Sequence, residues 1–188
     1  MGIEDLFEDS IEDTDYNQII EEYGLDVKQL EKDMGIYQPT MDLRFSFSNE
    51  NAITPQYAYP TDSGMDLYST EDIDVDPFGR VLVPTGVHFD IPENYEIQIR
   101  SKSGLAIKEG LMVLNSPGTV DQGYTGEIKV IIFNVNQHPV NIKKNQKIAQ
   151  AVLTPVVSGK WINLVKVNNI EDKDRSDKGF GSTGLWLQ

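Results

Sequence analysis

The chain contains no cysteine, so disulfide bonds, thiol nucleophiles and cysteine-ligated zinc sites are all excluded. Basic residues are also scarce, because 16 Lys and Arg stand against 30 Asp and Glu, a formal net charge of −14 over 188 residues. A surface of that sign suits neither a nucleic-acid backbone nor an anionic membrane, and neither partner is predicted. No apolar run approaches the ~20 residues of a membrane-spanning helix. The acidic start MGIEDLFEDSIEDTD lacks the basic region of a signal peptide, so a cytoplasmic globular protein is expected.

The negative charge is concentrated at the N-terminus. Residues 1–36 hold twelve acidic side chains and two lysines, a net charge of −10, which leaves −4 for residues 37–188. Apolar residues recur at helical spacing in this segment, and Gly24 and Gly35 are placed to end two short helices. We therefore expect an acidic N-terminal extension over 1–36 that is helical or partly disordered. An arm that binds a protein partner and a solvated tail both fit these residues, and long acidic runs are more often solvated.

From residue 41 the hydrophobic pattern changes to a period of two. Met41, Leu43, Phe45 and Phe47 alternate with polar residues, which predicts a half-buried strand. Continuous apolar runs at 130–133 and 148–157 are typical of strands buried on both faces. Proline and glycine recur about every ten residues, and no strand–helix–strand alternation is visible. The body is therefore predicted to be an all-β barrel or sandwich.

Five short segments carry residue types suited to a nucleotide, and each also has an ordinary structural explanation. The first holds Asp66 in SGMDL, where an acid beside a glycine is normally a turn former. The second, RSKSGLAIKEG over 100–110, predicts a short helix capped by Ser103 and ended by Gly110. Free N–H groups and basic side chains at its start would form an anion site, although a plain capped helix explains the pattern equally well.

The third segment is NSPGTVDQGYTGE over 115–127, rich in turn-forming residues. The amide of Asn115 offers a donor and an acceptor side by side, which matches the edge of a pyrimidine. Asp121 is an acid in a rigid turn and a candidate general base. The alternative is a tight β-hairpin in which both side chains only satisfy backbone groups.

The last two segments lie toward the C-terminus. In KIAQ, Gln150 is a lone amide in an apolar run and must find a partner in either the backbone or a ligand. The segment RSDKGFGSTG over 175–184 combines glycines with Arg175 and hydroxyl groups that suit a phosphate, but a flexible tail has the same composition. The order of residues that defines a Walker A loop is absent from this segment.

In their order and spacing, these five segments closely resemble the five motifs of the trimeric dUTPase family, over roughly residues 41–184. Asn115 lies six residues before Asp121, LNSPGTVDQGYTGEIKVIIFN is similar to the third motif, and GFGSTG is similar to the fifth. The resemblance implies a jelly-roll-like β-barrel over 37–174 and a glycine-rich C-terminal arm over 175–188 that closes over the active site. It also implies homotrimers with active sites at subunit interfaces. The implied reaction is Mg²⁺-assisted hydrolysis of dUTP to dUMP and pyrophosphate, which limits uracil incorporation into DNA and supplies dUMP for dTMP synthesis.

The same resemblance implies roles for individual residues. Asp121 would deprotonate the water that attacks the α-phosphorus, and Asp66 would support the site by holding the arm or the water shell of the metal. Mg²⁺ would be held mainly by substrate phosphates and waters, without direct protein ligands. The residues implied to contact the uracil and deoxyribose are Asn115, Thr119, Val120, Tyr124 and Phe180, with Lys129 as a weaker candidate. Those implied to contact the phosphates are Lys102, Ser103, Gly104, Gln150, Arg175, Gly181, Ser182 and Thr183.

The sequence departs from the family pattern at four positions, and two other functions remain open. Lys102 stands in place of an Arg, which replaces a bidentate grip on phosphate by a point charge; the other departures are Gly123, Thr125 and Asn145.

A dCTP deaminase of the same fold would need a general acid–base Glu after the third segment, where the chain reads KVIIFN. The second alternative is a regulatory binding protein that acts through the acidic extension.

Overall fold

The computed structural model describes residues 41–174 together with 176 and 177. The helices predicted for residues 1–36 therefore lie outside the described residues. The described chain contains eleven β-strands, one short α-helix and a final 3₁₀ turn, and none of its helices is long and apolar enough to cross a membrane. The elements are, in chain order, β1 (Arg44–Phe47), β2 (Met65–Tyr68), β3 (Ile73–Val75), β4 (Arg80–Pro84), β5 (Val87–Asp90), β6 (Tyr95–Arg100), α1 (Ser103–Glu109), β7 (Leu111–Val113), β8 (Gly118–Val120), β9 (Lys129–Asn134), β10 (Val140–Ile142), β11 (Lys147–Pro155) and the 3₁₀ turn (Gly159–Trp161).

The strands form four antiparallel sheets. The largest has the order β2–β11–β6–β8, a second has the order β4–β9–β7, and the pairs β1–β5 and β3–β10 complete the set. Strands distant in sequence lie side by side, as in β2 with β11 and β4 with β9. The all-β prediction is confirmed by this arrangement.

One hydrophobic core lies between these sheets. Alternate residues of β6 and β9 supply much of it, because Ile97, Ile99, Val130 and Ile132 are all buried, and Leu67 of β2 is completely covered. Alternation along a strand sends every second side chain to the same face, so these strands each present one face to the core. The core thus fixes the strand ends from which the polar segments emerge.

The first predicted strand is present but is not half-buried. It begins at Arg44, and all four of its residues are exposed. Phe45 and Phe47 are 44 % and 45 % exposed, and their ring centroids lie 5.5 Å apart. The strand pairs with β5 in a two-stranded sheet, and of the alternating apolar residues only Leu43, just before the strand, packs against the core of the described chain.

The run 130–133 was predicted to be buried on both faces, and this is wrong for one face. Ile131 and Phe133 of β9 are only partly buried and point away from the core. They lie opposite Leu82 of β4 and Met112 of β7, which are 54 % and 37 % exposed. These four residues form an apolar face of the β4–β9–β7 sheet, called here the outer face.

Candidate active site

The first candidate cavity lies where β2, β11 and β6 run side by side. Asp66 of β2 lies opposite Gln150 of β11, which lies opposite Arg100 at the end of β6. Sheet pairing thereby brings together the first, second and fourth of the polar segments. The cavity has a volume of about 460 Å³ and is lined by Ala58, Asp62, Ser63, Gly64, Asp66, Lys102, Lys147 and Gln150.

Asp66 is the centre of this cavity's charge network. Its side chain is 6 % exposed, one carboxylate oxygen accepts a hydrogen bond from Lys102 Nζ, and the other lies 2.6 Å from Lys147 Nζ. Burial alone raises the pKa of Asp66, but the hydrogen bonds and positive charges of the two lysines outweigh it, so that the pKa lies below its ordinary value. Asp66 is therefore ionised, and one carboxylate holds two ammonium groups.

Lys147 was not among the predicted site residues. The hydrogen bond and charge of Asp66 raise the pKa of Lys147, so it is positively charged at neutral pH. It is the first residue of the KIAQ segment that contains Gln150. From the sequence alone, a lysine at the start of a strand is expected to be an ordinary surface residue. Only the pairing of β11 with β2 shows that its side chain reaches a buried acid.

Gln150 finds its partner in the backbone. Its Nε2 donates to the carbonyl oxygen of Ser101 at 3.0 Å, which ties β11 to the segment between β6 and α1. A Cβ atom placed on Gly64 would lie 2.7 Å from Gln150 Oε1, so the glycine leaves the room that this side chain occupies. The amide is thus held at the cavity wall from two sides.

The helix start differs from the prediction in one respect. Helix α1 ends at Gly110 as predicted, with Gly110 in the left-handed conformation at φ 62°. The N-cap residue is Lys102 instead of Ser103, and it makes no side-chain capping hydrogen bond. Ser103 is the first helical residue, because Lys102 has the extended backbone that an N-cap requires. A Cβ on Gly104 would have no atom within 4 Å, so this position faces open space.

The third segment is a long connection that contains strand β8, and it is not a tight hairpin. Strands β7 and β9 pair with each other, and the chain between them leaves their sheet so that β8 can pair with β6. Thr119 and Val120 lie in β8, opposite Gln98 and Ile97. This route carries Asp121 away from the sheet to which β7 and β9 belong.

Asp121 and Tyr124 lie in one turn beside a second cavity. The backbone N–H of Tyr124 donates to the carbonyl oxygen of Asp121 at 2.9 Å, and Tyr124 Oη donates to the carbonyl oxygen of Glu127 at 3.0 Å. A Cβ on Gly126 would lie 2.5 Å from Tyr124 Oη, so the glycine leaves the room that the phenol end of this ring occupies. The cavity has a volume of about 310 Å³ and is lined by Leu82, Thr119, Val120, Asp121, Tyr124, Glu127, Ile128, Lys129 and Ile131.

Two side chains that were not predicted hold this loop in place. Glu127 Oε1 accepts from the backbone N–H of Gly86 at 2.9 Å, and its other oxygen lies 3.3 Å from Lys129 Nζ. His88 Nδ1 lies 2.9 Å from the carbonyl oxygen of Thr125, which requires the proton to be on Nδ1. His88 comes from β5 and Glu127 is the last residue of the third segment, and no short-range pattern marks either contact in the sequence.

Asn115 is not brought to the wall of the Asp121 cavity. It is exposed, and its Nδ2 lies about 3.0 Å from where a Cβ of Gly118 would stand. The neighbouring Ser116 Oγ accepts from the backbone N–H of Ser101 at 3.3 Å. Asn115 therefore lies toward the Ser101 end of β6.

Within one chain, the two cavities lie toward opposite ends of β6. Lys102 follows its last residue, Arg100, whereas Asp121 follows Val120, which lies opposite Ile97 near the first. The five residues from Glu96 to Arg100 alone span about 13 Å at the usual rise of a strand. The two sets of predicted residues are therefore separate in a single chain.

Some predictions fall outside the described residues. Arg175, Phe180, Gly181, Ser182 and Thr183 lie there, and so does the glycine-rich arm of which they are part. Within residues 41–174, 176 and 177, no three His, Asp or Glu side chains are gathered as for a metal ion.

An all-β fold with lysines and a glutamine around one cavity, and an acid beside a tyrosine at another, carries groups that suit an enzyme that hydrolyses a nucleotide. A family model described as dUTPase matches residues 50–184, and the chain belongs to the dUTPase family. The jelly-roll prediction is thereby confirmed.

Named relatives agree with this assignment. The chain is 45% identical over 142 residues to a deoxyuridine 5'-triphosphate nucleotidohydrolase of Clostridium tetani, covering 76% of this chain and 96% of the relative. It is 48% identical over 137 residues to the enzyme of that name from Hydrogenobaculum, covering 72% and 93%.

Two solved structures of similar fold come from bacteriophages. A mutant dUTPase of Staphylococcus bacteriophage 80alpha with dUpNHpp has a TM-score of 0.71 and 26% identity, covering 78% of this chain and all of that one. A mutant dUTPase of phage phi11 of S. aureus, whose structure describes a structural Mg(II) ion, has a TM-score of 0.63 and 25% identity, covering 69% and 98%.

Proposed function

We propose that this chain hydrolyses dUTP to dUMP and pyrophosphate. The observation that carries the proposal is the turn in which Asp121 and Tyr124 are joined by a backbone hydrogen bond at a cavity wall. An acid and an aromatic ring fixed in one turn can place a general base beside the sugar of a bound nucleotide. Lys102 and Gln150, at the other cavity, have the charge and the amide that suit a phosphate chain.

The proposed chemical step is a single displacement at phosphorus. The Asp121 carboxylate accepts a proton from water as the water oxygen bonds to the α-phosphorus. The bond from that phosphorus to the oxygen bridging to the β-phosphorus breaks, and pyrophosphate leaves with the bonding electrons. Asp121 lies in an exposed turn, so water has access to its carboxylate.

The Tyr124 ring supports a choice of sugar. It lies against Gly126 with its hydroxyl held by Glu127, so the ring cannot move back without breaking that bond. A ring fixed beneath the sugar leaves no room for a 2′-hydroxyl. Thr119, Val120 and Lys129 line the same cavity and are proposed to contact the nucleotide there.

The side chains present fit a Mg²⁺ ion that arrives with the substrate. Both oxygens of Asp66 are engaged by lysines, and no cage of acidic ligands is found among the described residues. Mg²⁺ keeps several waters and is commonly held by substrate phosphates. When bound, it would offset the negative charge of the triphosphate, while Lys102 and Gln150 orient the chain.

We further propose that the working enzyme is a homotrimer whose sites lie between subunits. Asp121 would act at the α-phosphorus and Lys102 on the same short phosphate chain, and a single chain does not bring both groups to it if they lie toward opposite ends of β6. The outer face continues into the Asp121 cavity through Leu82 and Ile131. An exposed apolar face of this kind suits contact with a second copy, which would supply the phosphate-binding half.

The ends of the chain add two separate proposals. The arm over 175–188, with Arg175, Phe180 and Gly181–Thr183, would close over the bound substrate.

The extension over 1–36 would bind a protein partner; the family model begins at residue 50 and does not include it. A pull-down with the full chain and with residues 37–188 as baits tests the proposed partner of the extension. Identical partners from both baits would reject that proposal. Cytoplasmic location stays a prediction.

The test of the activity measures pyrophosphate and ammonia released from dUTP, dCTP, dTTP and UTP, with Mg²⁺ and then with EDTA. We expect Mg²⁺-dependent pyrophosphate from dUTP alone. Ammonia from dCTP would instead indicate a deaminase. If neither product is released from any of the four nucleotides, a binding protein would remain as the function.

A further inference from the structure

Lys147 has no assigned role in the proposed reaction, yet it lies on the wall of the phosphate-binding cavity. It shares that wall with Lys102 and Gln150, and its ammonium group lies 2.6 Å from Asp66. Its side chain is 48% exposed, so it is more accessible than Lys102, which is 27% exposed. A positive group placed at the cavity mouth can meet a ligand without moving through the protein.

The charges lining the cavity balance when no ligand is present. The wall carries the acids Asp62 and Asp66 and the lysines Lys102 and Lys147. A nucleoside triphosphate brings about four negative charges, and an acidic protein must offset them within the site. Without Lys147 the wall would carry two acids and one base, and Lys102 contributes only a point charge, so the second lysine offsets negative charge that would otherwise oppose the phosphates.

The geometry points to Lys147 as a second lysine that binds the phosphate chain of the substrate. This inference rests on the proposed function, because it takes the Lys102 cavity to be the phosphate site. Asp66 holds both ammonium groups near the cavity before the ligand arrives, which reduces the entropy lost when they meet it. When the phosphates engage the lysines, Asp66 retains backbone contacts on both sides of β2, so it stays in place.

A set of three variants tests this role. Lys147→Met removes the charge and keeps the length of the stem, and Lys147→Arg keeps the charge. Lys144→Met removes the same charge from a lysine three residues earlier, whose Nζ donates to Asn51 Oδ1 at 2.6 Å and which does not line the cavity. The measurements are kcat and KM for dUTP, and the inhibition constant of deoxyuridine, which carries no phosphate.

We expect Lys147→Met to raise the KM for dUTP roughly three- to ten-fold, as for the loss of one partly exposed charge contact. The inhibition constant of deoxyuridine should stay within about two-fold of the wild type, and Lys147→Arg should restore most of the KM. Lys144→Met should leave both constants unchanged.

Three results would overturn the inference. They are an unchanged KM in Lys147→Met, an equal loss of dUTP and deoxyuridine binding, and an equal effect of Lys144→Met. Thermal melting of each variant separates a folding defect from a binding defect, and Lys147→Arg retains the ion pair if Lys147→Met does not fold. A wild-type chain that releases no pyrophosphate from dUTP would reject the proposed function itself, which is a different outcome from any of these.

Discussion

Lys102 and Asp121 lie toward opposite ends of strand β6, the first just beyond Arg100 and the second just beyond the residue opposite Ile97. Neither side chain lines the cavity of the other. If both act on one substrate, they must come from different copies of the chain.

Subunit mixing tests that conclusion. Asp121→Asn chains lose the base and Lys102→Met chains lose a phosphate contact, so each homotrimer alone should be nearly inactive at low dUTP. When equal amounts are unfolded together and reassembled, about a quarter of the interfaces should combine two intact halves. We therefore expect about a quarter of wild-type turnover. Mixed assemblies with no more activity than their parents would place both groups in one chain.

Asp121→Asn alone should separate binding from chemistry. The amide keeps the shape of the side chain but is not a general base, so kcat should fall by at least about 10²-fold. Binding of dUTP, measured by calorimetry, should change little, because the turn is held by the backbone bond to Tyr124. Turnover near the wild-type rate would eliminate Asp121 as the base.

The outer face supplies a test of assembly. Leu82→Lys places a charge on the exposed apolar face beside the Asp121 cavity, and we expect monomers in place of trimers in sedimentation equilibrium. Ile107→Lys is the matched control, since Ile107 is 83% exposed on helix α1 and lies outside that sheet. Loss of trimers in both variants, or in neither, would show that the face is not the interface.

The close approach of Gly64 to Gln150 predicts a substitution defect in the cavity lined by Lys102 and Gln150. Gly64→Ala puts a methyl group 2.7 Å from Gln150 Oε1, so the amide must move off Ser101, and kcat/KM should fall roughly ten-fold. In Gly159→Ala the added methyl meets no atom within 4 Å, and activity should be unchanged. Equal activity of the two variants would mean that Gln150 has room to adjust.

The lowered pKa of Asp66 predicts a pH-dependent contribution to stability. A carboxylate whose pKa is lower in the folded state stabilises the fold above the ordinary aspartate pKa of ~3.9, and this contribution is lost as the pH falls below it toward the folded-state value. Asp66→Asn should therefore reduce the free energy of unfolding by about 1–3 kcal/mol at pH 7. The difference from the wild type should shrink below pH 3.9, as measured by urea unfolding. A difference independent of pH would assign the effect to packing.

Several local signals in the sequence predict the structure correctly. Gly110 ends its helix as predicted, and alternation in β5 and β6 marks residues that are buried, such as Phe89 and Ile97. The order of the five segments was enough to predict the family, because their spacing is fixed by the same barrel.

What the sequence could not supply depends on pairing between distant strands. Lys147 reaches Asp66 only because β11 lies beside β2, and Glu127 reaches Gly86 across 41 residues. The exposure of Phe45 and the partial exposure of Ile131 could not be predicted either. An apolar strand has the same sequence pattern whether its apolar face packs on a core or on a second chain. The cap predicted at Ser103 is wrong by one residue, because the N-cap residue is Lys102 and Ser103 is the first residue of the helix.

On the proposed arrangement, the six residues of β6 would keep the general base and the phosphate-binding lysine apart until chains assemble. In a single newly made chain, the general base Asp121 would have no bound phosphates beside it, and the phosphate-binding cavity would have no base beside it. Hydrolysis would then begin only once enough copies have accumulated to assemble. The amount of protein would itself set the threshold at which nucleotide is consumed.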